Sequence, residues 1–64
     1  MMSNQILKDT KGFKLGSITT DSNGKQTIYD KSGFRKGVYD PKSNITKDSS
    51  GFKFGTGNLL TKLL

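Results

Sequence analysis

The chain has 64 residues, with 11 Lys and Arg against five acidic residues, a net charge of +6 and a sequence pI near 9.9. It contains no Cys and no His, which excludes disulfides, thiolate or imidazole metal sites and the commonest general base. No apolar run approaches the roughly 18 residues of a membrane-spanning helix. Residues 1–7 lack the charged and apolar regions of a signal peptide, so we expect one cytoplasmic domain over residues 1–64.

A repeated motif, Asp-x-x-Gly-Phe-(Lys/Arg)-x-Gly, organises the chain. Its three copies begin at Asp9, Asp30 and Asp48, which are 21 and 18 residues apart. A fourth Asp-x-x-Gly begins at Asp21, and the fifth aspartate, Asp40, precedes a proline. Asp at the first position of a type I turn accepts a hydrogen bond from the turn backbone, and Gly at the fourth position adopts positive φ. We therefore interpret all five aspartates as turn formers rather than as catalytic acids or calcium ligands.

Short strands rich in Ile, Val, Thr, Tyr and Phe separate these turns. In chain order they are predicted at residues 5–8, 13–20, 25–29, 34–39, 45–47 and 52–56. Successive hairpins pair neighbour with neighbour, so the pattern predicts an all-β antiparallel meander of three repeated hairpins over about residues 5–56.

The second strand of each hairpin is expected to begin with an inward phenylalanine and to bend or bulge at the second glycine of the motif. The phenylalanines are Phe13, Phe34 and Phe52. Two arrangements follow from this pattern. The hairpins can surround a pseudo-threefold centre in which the three rings pack together, or they can form one twisted sheet that curls into a small open barrel.

The C-terminal segment, residues 57–64, has a different character. Leu59, Leu60, Leu63 and Leu64 follow helical spacing and predict a short helical turn, with Asn58 as its N-cap. So short a helix needs packing to be stable. The leucines either cover the open end of the sheet or pack on another subunit, and the second alternative makes them a candidate association surface.

The segment from Ile28 to Arg35 and the dipeptide Tyr39-Asp40 resemble the Tyr-Asp-x-x-Gly hairpins of YD-type repeats. The alternation of these hairpins with strand bends is similar to that of small bacterial and phage beta-flower domains. This resemblance implies a small bacterial or phage-borne protein built of hairpins, and it carries over no catalytic residue. The absence of His and Cys, together with aspartates committed to turns, predicts a non-enzymatic module.

We expect this module to bind a protein partner or to self-associate as a homo-oligomer. The alternative hypothesis is a nucleic-acid-binding module, because the Gly-Phe-Lys strands resemble the Lys-Gly-Phe-Gly-Phe core of RNP-type and cold-shock strands. On that hypothesis Lys14, Arg35, Lys36 and Lys53 are the candidate polyanion-binding residues. The sequence predicts no catalytic site, cofactor or metal, and neither a membrane nor a small-molecule substrate as partner.

Overall fold

The computed structural model describes residues 3–64. Met1 and Met2, part of the segment in which no signal peptide is predicted, lie outside the described residues. Six strands and one short 3-10 helix follow one another in the described part of the chain: β1 (Ser3–Lys8), β2 (Lys14–Thr20), β3 (Gln26–Asp30), β4 (Arg35–Asp40), β5 (Ile45–Asp48), β6 (Lys53–Thr56) and the helix (Leu60–Leu63). Each predicted strand is present, with bounds that agree within two residues.

The strands form a single antiparallel sheet in the order β1-β2-β3-β4-β5-β6. The predicted all-β meander is therefore confirmed. The sheet is not closed into a barrel, and its three hairpins lie side by side instead of around a common centre. The molecule measures 34 × 25 × 18 Å along its principal axes.

The Asp-x-x-Gly turns share one set of hydrogen bonds. In the first of them, the Asp9 carboxylate accepts from the N–H groups of Lys11 (2.8 Å) and Phe13 (3.0 Å). The Gly12 N–H donates to the Asp9 carbonyl at 3.0 Å, and Gly12 has a φ of 88°. The turns that begin at Asp21, Asp30 and Asp48 repeat this geometry.

The turn at Asp40 is a variant that uses asparagine in place of glycine. The Asp40 carboxylate accepts from the Lys42 N–H at 2.9 Å, and its carbonyl accepts from the Asn44 N–H at 2.8 Å. Asn44 has a φ of 57°, which asparagine tolerates better than most residues. The prediction that all five aspartates form turns is confirmed.

A β-bulge interrupts each hairpin one residue before the second glycine of the motif. Leu7 pairs with Gly16 and Lys8 with Lys14, so Leu15 is left without a partner. Lys36 and Phe54 hold the same place in the second and third hairpins. The predicted irregularity at this glycine is therefore present in all three copies.

The hydrophobic core lies between one face of the sheet and the C-terminal helix. Ile18, Ile28 and Leu60 are buried, and Leu7, Tyr39 and Leu63 pack against them. The helix contacts β3 and β4.

The prediction that the motif phenylalanines form the core is wrong. Phe13, Phe34 and Phe52 are 68%, 70% and 72% exposed. Each ring follows the glycine of a turn and lies just before the first residue of a strand, at the end of the sheet. The helix packs on the middle of the sheet and supplies Leu60, only 1% exposed, to the core instead.

The second glycines of the motif create the surface on which the leucines rest. A Cβ atom at Gly55 would lie 2.5 Å from Leu59 Cδ1, one at Gly37 would meet Leu63 Cδ1, and one at Gly16 would lie 3.1 Å from Leu64 Cδ2. The tail thus crosses β6, β4 and β2 by placing a leucine on the glycine of each strand. Of the two predicted roles of the leucines, covering the sheet is what the structure shows.

Polar contacts fix the start of this tail. The buried Thr46 hydroxyl donates to the Gly57 carbonyl at 2.6 Å and accepts from the Leu59 N–H at 3.0 Å. Asn58 is not at the N-cap position predicted for it, which Leu59 occupies without a side-chain cap. The Asn58 amide instead donates to the Gln26 side chain at 2.7 Å, and its oxygen accepts from the Leu60 N–H at 3.3 Å.

Candidate functional site

The three motif turns lie at the same end of the sheet. In a meander the connections alternate between the two ends, so the turns joining β1 to β2, β3 to β4 and β5 to β6 share one end. The turns after β2 and β4 lie at the opposite end. Strands in a sheet are about 4.8 Å apart, so equivalent positions on β2, β4 and β6 are separated by about 10 Å.

Neither the turn nor the core requires the three exposed phenylalanines. The turn at the opposite end has Lys25 in the place that Phe13 occupies in the first turn. Its backbone bonds are the same, with the Asp21 N–H donating to the Lys25 carbonyl at 3.0 Å and the Lys25 N–H to the Asp21 carboxylate at 3.0 Å. The backbone hydrogen bonds of this turn therefore form equally well with a polar residue at the position, and the three rings lie outside the buried core.

Positive charge is concentrated at the same end. Eight of the 11 cationic side chains lie on its strand ends and turns, against three aspartates, which leaves a net charge of +5. We call this surface the basic aromatic end; it consists of Phe13, Phe34, Phe52, Lys8, Lys11, Lys14, Lys31, Arg35, Lys36, Lys47 and Lys53. At the opposite end two lysines, Lys25 and Lys42, balance two aspartates, and Lys62 lies on the helix.

The three aspartates of the basic aromatic end are occupied by their own turns. The Oδ1 atoms of Asp9, Asp30 and Asp48 each accept two backbone N–H groups at 2.8–3.1 Å. Lysines flank these aspartates in the sequence. The Oδ1 atom of each carboxylate, however, is directed into its own turn. The cations outnumber these carboxylates by eight to three and lie beside the exposed rings.

The structure brings all four predicted polyanion-binding residues to this end. Lys14, Arg35 and Lys53 are the exposed first residues of β2, β4 and β6, and Lys36 is the half-buried bulge residue of β4. Arg35 Nη2 also donates to the Ser49 carbonyl at 3.5 Å, which links the second hairpin to the third.

Sequence reasoning missed four further cations of this surface. Lys8 and Lys47 each precede a motif aspartate. They pair with Lys14 and Lys53, respectively, on the neighbouring strand. Lys11 and Lys31 lie within the turns. The predicted meander was enough to place these four cations on the surface, because alternate turns of a meander lie at the same end of the sheet.

An open groove adjoins the basic aromatic end at the corner formed by β1 and β2. It encloses about 940 Å³ and has an apolar part made by Ile6, Leu7, Leu15 and Leu64, beside Phe13. Its other side chains include the lysines at positions 8, 14, 31 and 36 and the turn-forming aspartates at positions 9 and 30.

The leucines predicted as an association surface differ in what they leave exposed. Leu60 is buried, and Leu59 and Leu63 are half-buried on the motif glycines. Leu64 is 45% exposed and contributes to the groove. Leu64 is therefore the most exposed of the four leucines.

No protein-family model matches the chain, and neither the curated protein sequences nor the solved structures contain a significant match. Within residues 3–64, no three acidic side chains come together in a way that could hold a metal ion. The same residues form no helix long and apolar enough to span a bilayer.

Proposed function

We propose that this protein is a non-enzymatic module that binds single-stranded nucleic acid through its basic aromatic end. The observation that carries this proposal is the exposure, by about 70%, of three phenylalanines at a turn position that a lysine fills equally well. Exposed rings of this size are costly to keep in water, so a ligand that covers them would be stabilised by their burial.

Exposed rings and cations are the two groups that proteins use to hold single strands. Bases stack on aromatic side chains, and Lys and Arg neutralise the phosphates between them. In this protein each ring is followed directly by a cation: Phe13 by Lys14, Phe34 by Arg35 and Phe52 by Lys53. A strand laid across the sheet end would meet a ring about every 10 Å, with a cation beside each ring.

A single strand fits this surface better than a duplex. The faces of bases in a duplex are covered by their neighbours, whereas those of a single strand are available for stacking. This function is the alternative hypothesis drawn from the sequence, and it takes the place of the first expectation, binding of a protein partner or self-association. The chain contains no His or Cys, and its aspartates bond within their turns, which favours binding over catalysis.

Fluorescence anisotropy with labelled oligonucleotides of about 12 nucleotides tests the stacking. Replacing Phe13, Phe34 and Phe52 together by threonine keeps the charge and suits the start of a strand. Stacking contributes about 1–3 kcal/mol per base, so we expect the affinity to fall by at least about tenfold. The melting temperature should hardly change, because the rings are outside the core. Equal affinity of the triple variant, or equal binding of single strand and duplex, would contradict the proposal.

Two lysine pairs make a matched test of the electrostatics. Replacing Lys14 and Lys53 by glutamine removes two charges at the basic aromatic end, and replacing Lys25 and Lys42 removes two at the opposite end. The slope of log K against log salt is negative, and each lost phosphate contact makes it shallower by about 0.7 for a single strand. We expect the first double variant to make the slope shallower by about 1.4 and the second to leave it unchanged. If both double variants change the slope equally, the binding is diffuse attraction to net charge.

A further inference from the structure

A second surface of the molecule is suited to a peptide. Of the two edge strands in the described sheet, β1 is the longer, and its backbone is paired with β2 along its whole length on one side only. β1 contains no proline, and its one charge is Lys8 at its end. An edge of this kind presents unpaired N–H and C=O groups that can accept another strand.

The opposite edge is less suited to adding a strand. β6 has only four residues, contains the bulge residue Phe54, and carries Leu59 on its glycine, Gly55. A strand that adds to the sheet therefore has its longer, more regular template at β1.

The groove beside β1 defines the chemistry of the added strand. Its apolar part consists of Ile6, Leu7, Leu15 and Leu64, all partly or largely exposed, and would receive apolar side chains. Four lysines and two carboxylates contribute to its lining, which leaves a net charge of +2. Charge complementarity therefore favours acidic residues in the occupant.

We propose that β1 and this groove bind an extended peptide of a partner protein, containing both apolar and acidic residues, as a seventh strand of the sheet. A second copy of the same chain does not fit this site well. β1 has no acidic residue to offer, and each copy carries a net charge of +6.

This site is separable from the proposed nucleic-acid surface, although the two share Phe13 and some lysines. The apolar side chains Leu15 and Ile6 belong to the groove alone. Leu15 is also replaceable without disturbing the fold, because the same bulge position in the second hairpin is occupied by the polar Lys36.

The test uses a fluorescein-labelled peptide of valine–glutamate repeats and, as its control, a valine–lysine peptide of the same length. The full chain should bind the first peptide and not the second. Leu15→Gln should weaken that binding at least fivefold. Phe54→Gln, at the equivalent bulge of the third hairpin, should leave the binding unchanged. Hydrogen exchange should slow in the β1 amides when the peptide is bound.

Three results would overturn this proposal. The first is no binding of the acidic peptide at low salt, and the second is an equal loss from Leu15→Gln and Phe54→Gln. The third is an equal loss of oligonucleotide affinity in Leu15→Gln, which would assign the groove to the nucleic-acid surface. Failure of oligonucleotide binding with peptide binding retained would refute the proposed function alone.

Discussion

The motif glycines on which the leucines rest provide a graded test of the packing. A Cβ atom at Gly37 would lie 2.5 Å from the Lys47 carbonyl oxygen, and one at Gly16 would meet the Tyr29 carbonyl oxygen. These oxygens belong to neighbouring strands, so alanine would force two strands apart. At Gly55 the nearest atom is Leu59 Cδ1, also at 2.5 Å, but this is the end of a side chain that can rotate.

The magnitudes follow from this difference. Overpacking a well-packed site costs about 1–3 kcal/mol, and removing glycine from a strand returns about 0.5–1 kcal/mol. We therefore expect Gly37→Ala and Gly16→Ala to destabilise the fold by about 1–2 kcal/mol and Gly55→Ala by less than about 0.5 kcal/mol. A domain of this size has a total stability of about 3–10 kcal/mol, so the first two losses are a large fraction of it.

Thermal unfolding followed by circular dichroism measures these changes. For a domain this small, about 1 kcal/mol corresponds to about 4–8 °C in Tm, so Gly37→Ala should melt about 5–15 °C below the unaltered protein. Gly55→Ala is the matched control on the third hairpin. If Gly37→Ala melts with the unaltered protein, or Gly55→Ala is the least stable of the three, the close approach of Gly37 and Gly16 to the carbonyl oxygens of the neighbouring strands is refuted.

Two further predictions concern polar contacts. Thr46→Val keeps the shape of a buried side chain but leaves the Leu59 N–H and the Gly57 carbonyl without their partner. The free energy of unfolding, measured by urea titration, should therefore fall by about 1–3 kcal/mol. Thr46→Ser keeps the hydroxyl and should lose less stability; the reverse order would contradict this account. Asp30→Ala removes the acceptor of two turn N–H groups and should lower the free energy of unfolding by about 1 kcal/mol. Asp30→Asn should lower it less, because the amide oxygen can still accept these bonds. Equal Tm values for the two variants would show that the carboxylate bonds contribute little.

The turns and the strand order could be predicted because their causes are local. The carboxylate of Asp9 and the N–H groups that donate to it lie within five residues, and the same five-residue unit recurs at Asp21, Asp30 and Asp48. A chain with these four reversals, a fifth at Asp40 and short strands between them pairs each strand with the next. The clustering of cations at one end of the sheet could have been predicted as well, since it follows from the meander and the positions of Lys8 to Lys53.

The exposure of the phenylalanines could not be predicted from local sequence. Whether Phe13 is covered depends on which part of the sheet the C-terminal tail reaches, and the tail is held by contacts between distant residues. Asn58 bonds Gln26, 32 positions away, and Leu59 bonds Thr46, 13 positions away. The repeat suggested a core of rings because large apolar side chains are usually buried in so small a chain.

Taken alone, the order of residues determined where this chain turns and which strands pair, because an aspartate and a glycine three positions later close four of the five hairpins with bonds of their own, and Asp40 and Asn44 close the fifth. The tertiary structure alone decided that four leucines cover the sheet and that three aromatic rings are left in water beside most of the positive charge. The physical reason is that burial is a property of the surfaces that meet. In this protein the surfaces that meet are the sheet and the last eight residues, which cross the strands from Gly55 to Gly16.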